Sequence, residues 1–268
     1  MEPVYLIILS CIGIGVVVGL LAGLLGIGGG LIIVPALSYL LVHSLELNTD
    51  LVMPMAVATS LSTIIFTGSS SAFAHYRLGN LSRYLVLWCG LGIAAGAVFG
   101  AQVASNISGH TLKNIFAVLV MLIALQMILG RSSMSSYRAS KPVLTVVGAV
   151  TGFVSSLMGI GGGALLVPAL VWFQVNVRKA IGCAAVSGLV IALFGTVSFI
   201  MAGYNKPGLP AGSIGYVYLP ATVGIVASSI ITAGIGARLG QKLDTRILKK
   251  MLAVLLVLVS VRMIVGIE

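Results

Sequence analysis

The sequence is poor in charge, and acidic residues are its scarcest charged type. Only 7% of the 268 residues are charged, and five of them are Asp or Glu. A soluble domain is about a quarter charged. No carboxylate falls deep in a long apolar run, whereas carriers coupled to protons or sodium usually keep acidic residues within the membrane. This absence argues against a bound cation.

Other absences narrow the function further. The three cysteines, Cys11, Cys89 and Cys183, lie in apolar runs without metal-ligand spacing, so we expect small packing residues and no metal or other cofactor. There is no GxxxxGK[ST] motif, which excludes nucleotide hydrolysis by this chain alone. The first apolar stretch has no charged leader and no small-residue cleavage site, so it does not read as a signal peptide.

Apolar residues and glycine dominate what is present. The chain is 59% apolar and contains 34 glycines, which is more apolar surface than one soluble core can hide. The composition predicts an all-α polytopic membrane protein whose solvent is the lipid bilayer, as in a bacterial-type inner (plasma) membrane. The net charge of +10 is interpreted as loop charge that orients the chain, not as a nucleic-acid surface.

The sequence contains a tandem duplication. At an offset of 133, residues 15–37 match 148–170 at 13 of 23 positions, including the whole of GIGGG and VPAL. At an offset of 136, residues 96–130 match 232–266 at 12 of 35 positions. We therefore divide the chain into a first transmembrane repeat at 1–134 and a second at 135–268.

Each repeat has four apolar runs near the length of a membrane span and one shorter run after its glycine cluster. A spanning helix needs about 20 apolar residues. The short runs are 30–42 and 163–174, and the long ones are 4–26, 51–75, 84–105, 111–130, 142–158, 180–202, 215–237 and 247–266.

Loop charge indicates whether the short runs cross. If the short runs cross, each half has five segments and the two halves are inverted. With both termini outside, 12 of the 15 Lys and Arg residues then lie in loops on the inside. If they do not, the halves are parallel and several basic clusters fall on the wrong side. The charge pattern favours two inverted five-segment repeats, with eight long helices and two short broken ones.

The glycine clusters are the strongest chemical signal. Consecutive glycines break a helix, and non-helical backbone survives at membrane depth only when it is buried in protein or lines a wet cavity. The short helix that follows presents free N–H groups and a partial positive charge to an anion. The predicted substrate-binding glycines are Gly28, Gly29, Gly30, Gly161, Gly162 and Gly163, and the predicted hinge residues are Gly26, Pro35, Gly159 and Pro168. Tight helix packing is the competing explanation for these glycines.

Hydroxyl side chains follow each glycine cluster on the next helix. Hydroxyls can donate to an anion without adding charge, although they can also bond to their own helix. The predicted substrate-binding hydroxyls are Thr59, Ser60, Ser62, Thr63 and Ser187. His75, near the end of a span, is the one histidine considered for proton coupling.

At these paired hinges the sequence resembles the sulfite exporter TauE/SafE (TSUP) family. The resemblance rests on GLLAGLLGIGGGLIIVPAL and GFVSSLMGIGGGALLVPAL. It implies a secondary carrier for sulfur-containing or related organic anions such as sulfite or sulfoacetate. The family is often described with about eight helices, which differs from the ten segments favoured by loop charge. Val186 precedes Ser187 where Thr59 precedes Ser60, so the site is expected to be asymmetric.

Export is the expected direction, because an inside-negative membrane drives anions outward by about 2.3 kcal/mol per charge per 100 mV. An anion channel, a coupled importer and a purely structural membrane subunit stay open as alternatives. An intramembrane hydrolase built on Ser155 and Ser156 is a remote one, because no histidine stands at a plausible partner position. The sequence does not fix the oligomeric state, and a homo-oligomer stays open.

Overall fold

The computed structural model is an assembly of helices with one small hairpin. It describes residues 2–25, 29–45, 47–129, 140–240, 253, 254 and 256–263. The helices are α1 Glu2–Leu25, α2 Gly30–Leu45, α3 Thr49–Arg77, α4 Arg83–Asn106, α5 Gly109–Leu129, α6 Lys141–Met158, α7 Gly163–Trp172, α8 Val177–Gly203 and α9 Leu219–Gly240. Residues 253, 254 and 256–263 are helical as well. Strands β1 Ser213–Ile214 and β2 Val217–Tyr218 pair antiparallel, with Ser213 opposite Tyr218.

The predicted class of all-α membrane protein is confirmed for this part of the chain, and the inverted arrangement of the repeats stays a prediction. Within the described residues, five helices, namely α3, α4, most of α5, α6 and α8, are long and apolar enough to cross a membrane. Both short helices predicted after the glycine clusters are present as α2 and α7. The boundary drawn between residues 134 and 135 lies outside the described residues, as does much of the predicted segment 247–266.

One predicted boundary is wrong. The segment predicted from residue 215 begins as a helix only at Leu219, because the preceding residues form the hairpin. Gly215 has a φ of +55°, a conformation that favours glycine over other residues. The backbone N–H of Tyr218 donates to Oγ1 of Thr59 at 3.0 Å, which ties the second strand to the centre of α3.

Asparagine side chains start the two long central helices. Asn48 precedes α3 and accepts a hydrogen bond from the N–H of Asp50 at 3.2 Å. Asn176 precedes α8 and accepts one from the N–H of Arg178 at 3.0 Å. Each bond satisfies a first-turn N–H that has no partner within its helix. The two halves therefore begin their central helices in the same way.

Helices α4 and α6 pack backbone against backbone through glycines spaced four residues apart. A Cβ at Gly96 would collide with the carbonyl oxygen of Ala149, and one at Gly100 would lie 2.5 Å from the carbonyl oxygen of Phe153. Residue numbers rise together along this contact, so the two helices run parallel. Small residues allow such close approach in lipid, where there is no hydrophobic drive between helices. The glycines at this interface are Gly92, Gly96, Gly100, Gly148 and Gly152.

Helices α1 and α9 repeat the same contact at equivalent positions. A Cβ at Gly148 would collide with the carbonyl oxygen of Cys89, and one at Gly15 would lie 2.6 Å from the carbonyl oxygen of Ile225. Gly15 and Gly148 correspond at the offset of 133, and Cys89 and Ile225 at the offset of 136. Each pair thus joins one helix from each half, so the two halves interlock.

Helices α3 and α8, which hold equivalent places in the two halves, run in opposite directions where they touch. A Cβ at Gly182, near the start of α8, would lie 2.5 Å from the carbonyl oxygen of Asn80, just beyond the end of α3. Further along α8, a Cβ at Gly195 would lie 2.8 Å from Cδ1 of Leu61, near the middle of α3. Residues 52–64 of α3 are all buried, which makes this helix the centre of the molecule.

Two alanine substitutions in α4 test the backbone packing. Gly96→Ala places a methyl group against the Ala149 carbonyl, so we expect the protein to unfold several degrees lower in detergent. Gly90→Ala is the matched control, because nothing lies within 4 Å of its Cβ position. Alanine is favoured over glycine in a helix by about 1 kcal/mol, so the control should be neutral or stabilising. Equal unfolding temperatures for both variants would contradict the assigned packing.

Candidate functional site

Backbone hydrogen bonds stabilise the turn between α6 and α7. Gly159 has a φ of +64°, the left-handed conformation that ends many helices. Its N–H donates to the carbonyl oxygen of Ser156 at 3.3 Å, and the N–H of Ile160 donates to that of Ser155 at 3.0 Å. α7 then begins with Gly162 as its N-cap, which has no side chain to bond the first N–H groups. These N–H groups carry the partial positive charge of a helix N-terminus.

The first glycine hinge meets this turn directly. A Cβ at Gly30, the first residue of α2, would collide with the carbonyl oxygen of Gly159 and lie 2.9 Å from Cα of Ile160. The Oγ of Ser60, on α3, donates to the same Gly159 carbonyl at 2.7 Å. The start of α2, the turn after α6 and the buried centre of α3 therefore share one contact.

Gly29, in the first glycine cluster, also lies against the preceding helix α1. A Cβ at Gly29 would collide with Cγ1 of Val18 on α1, seven residues before that helix ends. The carbonyl oxygen of Gly29 accepts from the N–H groups of Ile32 and Ile33 at 3.0 Å each, which starts α2. Two predicted site residues of this hinge, Gly26 and Gly28, lie outside the described residues.

Helix α8 covers the other side of the second hinge. A Cβ at Gly188 would lie 3.6 Å from the backbone nitrogen of Gly162 and 3.7 Å from Cα of Gly161. A Cβ at Gly162 would lie 3.6 Å from Cβ of Ser187. The structure thus brings Ser187 to the N-terminus of α7, beside the first helical residue Gly163.

The predicted hydroxyls of α3 all have protein partners. Thr59 accepts from the N–H of Tyr218, and Thr63 donates to the carbonyl oxygen of Ser60 at 2.7 Å. Ser62 donates to the Thr59 carbonyl and lies 2.7 Å from Oγ1 of Thr222 on α9. Of this set, Ser60 is the one bonded to the glycine turn itself. Thr59 links α3 to the hairpin, Ser62 links it to the start of α9, and Thr63 bonds within α3. The role of all of them in substrate binding stays a prediction.

Three hydroxyls that the site prediction omitted have no partner. Ser155 and Ser156 are 0% exposed and Thr196 is 5% exposed, and no described atom forms a hydrogen bond with their hydroxyl oxygens. Leaving a buried hydroxyl unsatisfied costs about 1–3 kcal/mol. Such groups in a native protein call for an explanation. A fourth, Ser213, lies in the hairpin away from this turn.

A comparison of the two repeats distinguishes two of these residues from sequence alone. At the offset of 133, Ser155 and Ser156 correspond to Ala22 and Gly23. The glycines and the VPAL motif are the same in both halves, whereas this hydroxyl pair occurs in the second half alone. This difference beside an otherwise identical motif is the sequence signal for the hydroxyl pair.

His75 is not brought to the hinges. It lies near the end of α3, and its Nδ1 is 3.3 Å from Nδ2 of Asn80 in the following loop. Fifteen residues separate it from Ser60, which is about 22 Å along a helix. Pro35 and Pro168 each lie inside their short helix, where a proline contributes no backbone donor.

These features define the class of protein. The chain is an all-α integral membrane protein in which Gly30, the last residue of the first glycine cluster, packs against the turn at Gly159. A family model described as Sulfite exporter TauE/SafE matches residues 11–263. The chain therefore belongs to the sulfite exporter TauE/SafE family of membrane transporters, as the sequence motifs predicted.

Curated relatives agree with this assignment. A probable membrane transporter protein of Haemophilus influenzae is 38% identical over 262 residues, covering 96% of this chain and 97% of its own. The probable membrane transporter protein YunE of Bacillus subtilis is 25% identical over 274 residues, covering 94% of this chain and 95% of its own. No solved structure matches the chain significantly.

Proposed function

We propose that this transporter is a secondary carrier that exports a small sulfur-containing anion such as sulfite or sulfoacetate. The observation that carries the proposal is the meeting of the two hinges, where Gly30 packs on Gly159 beside the N-terminus of α7. The N-cap Gly162 adds no side chain of its own at that N-terminus, so an oxyanion can approach its amides closely. The family name, which describes sulfite export, supports the same substrate class.

The scarcity of carboxylates in the helices around the hinge favours the binding of an anion. α2, α7 and α8 contain no Asp or Glu, and the one carboxylate of α3, Asp50, lies in its first turn. Its Oδ1 accepts from the N–H of Gly109 at 2.8 Å, at the start of α5. The hydroxyl of Ser187 and the amides of α7 are neutral donors. Neutral donors bind an anion without an opposite charge that would hold it too tightly for release.

We also propose that the two halves are inverted across an inner membrane of bacterial type, with both termini outside. The opposite directions of α3 and α8 support inversion, because equivalent helices of parallel halves would run the same way. The excess of Lys and Arg in the loops that this topology puts inside supports the orientation. Inverted repeats with broken helices at matching positions are typical of a carrier whose site lies between the repeats.

Transport through the glycine turn is tested with Gly161→Ala in proteoliposomes. The added methyl group fits, since its nearest atoms are Cγ2 of Ile64 at 3.8 Å and Cα of Gly188 at 4.0 Å. We expect an unchanged unfolding temperature and at least a tenfold lower flux of sulfite below saturation, because the methyl group blocks access to the amides. Gly90→Ala serves as the control for an alanine added elsewhere.

The same vesicles test the substrate class with sulfite, sulfoacetate, thiosulfate, sulfate and taurine. A carrier saturates and shows trans-stimulation, so current steps without saturation would indicate a channel instead. Full flux in Gly161→Ala would remove the glycine turn from the pathway. No flux of any of these solutes in the unsubstituted protein would refute the proposed substrate class.

Inversion is tested with impermeant thiol reagents on Glu46→Cys and Lys179→Cys. These positions follow the short helices of the two halves, so inverted halves expose them on opposite sides. We expect residue 46 to react from outside and residue 179 from inside. The unsubstituted chain is the control, because Cys11, Cys89 and Cys183 are all 0% exposed. Reaction of both positions from one side would show parallel halves.

A further inference from the structure

We infer that the hydroxyls of Ser155, Ser156 and Thr196 donate to the three oxygens of an SO₃ group as it passes the second hinge. The inference rests on the proposed function and names the chemical group of the substrate that these side chains bind. It concerns residues outside the predicted site. A helix N-terminus alone would not carry it, and the independent observation is that these three buried hydroxyls have no hydrogen-bond partner among the described residues.

Ser155 and Ser156 lie beside the glycine turn, and Thr196 lies on α8, which packs against that turn. Ser155 and Ser156 are in the last turn of α6, and their carbonyl oxygens accept the N–H groups of Ile160 and Gly159. The Oγ of Ser156 lies 3.3 Å from the position of a Cβ on Gly195, so it faces α8. Thr196 is the next residue of that helix.

Packing does not explain the hydroxyls. The equivalents of Ser155 and Ser156 in the first half are Ala22 and Gly23, beside the same GIGGG motif. Residues without hydroxyls are thus compatible with a helix that leads into such a turn. Buried serines in a helix commonly bond back to a carbonyl of the preceding turn, as Ser228 does to the carbonyl oxygen of Gly224 at 3.2 Å. Ser155 and Ser156 make no such bond.

The chemistry of the donors selects the ligand. Each hydroxyl provides one hydrogen, and an SO₃ group presents three oxygens that only accept. Sulfite and the sulfonates share this group, whereas a carboxylate has two oxygens and a halide has none. Three neutral donors around three acceptors would favour an SO₃ group over a carboxylate or a halide. The substrate would then supply the hydrogen-bond partners of these hydroxyls.

The test compares Ser155→Ala, Ser156→Ala and Thr196→Val with the control Ser228→Ala, whose serine is buried and bonded to its own helix. The half-saturating concentration for sulfite efflux is measured in proteoliposomes, and the unfolding temperature is measured without anion. We expect each of the first three variants to raise the half-saturating concentration about tenfold or more, since each loses a hydrogen bond to a charged ligand. Their unfolding temperatures should stay equal or rise, and the control should keep its sulfite affinity.

The outcomes separate this inference from the proposed function. Sulfite transport with unchanged affinity in all three variants would overturn the inference and leave the carrier intact. A lower unfolding temperature in the anion-free serine variants would also overturn it, because the hydroxyls would then be bonded in the empty protein. Absence of transport in the unsubstituted protein would refute the proposed function, and this inference with it.

Discussion

The contact between Gly30 and the Gly159–Ile160 turn is the constraint on which the rest of the structure depends. It exists because Gly30 has no Cβ, and any larger residue would push the two hinges apart. Ser60 fastens the same turn by donating to the Gly159 carbonyl at 2.7 Å. Backbone that leaves a helix in lipid must be enclosed by protein. Here each interrupted helix pair helps to enclose the other, so neither hinge is complete without the opposite half.

The outer helices hold these hinges in place because each of them packs on a helix of the opposite half. α4 of the first half packs on α6 of the second, and α9 of the second packs on α1 of the first. Both interfaces bring backbones into contact through small residues, which is how helices associate when lipid removes the hydrophobic drive. α1 and α6 are the helices that lead into the hinges. The contacts along α1 and α6 therefore position the two helices that lead to the glycine clusters.

Much of this architecture was predictable from the sequence, because repeated motifs and apolar length are local properties. The duplication, the short helices after GIGGG and the position of Ser187 beside α7 follow from them. The start of α9 was misplaced because residues 215–218 are as apolar as a helix, and only the pairing of Ser213 with Tyr218 makes them a hairpin. Which helices exchange partners, and which hydroxyls lack a bond, depend on contacts between residues far apart in sequence.

The most direct test of the account is a structure of the full chain with selenite, a heavier analogue of sulfite whose selenium is located by anomalous scattering. The account predicts a selenium peak beside the N-terminus of α7, with selenite oxygens about 3 Å from the backbone nitrogens of Gly161–Gly163. Bound selenite on a loop or another surface, with the two turns packed dry against their neighbours, would contradict it.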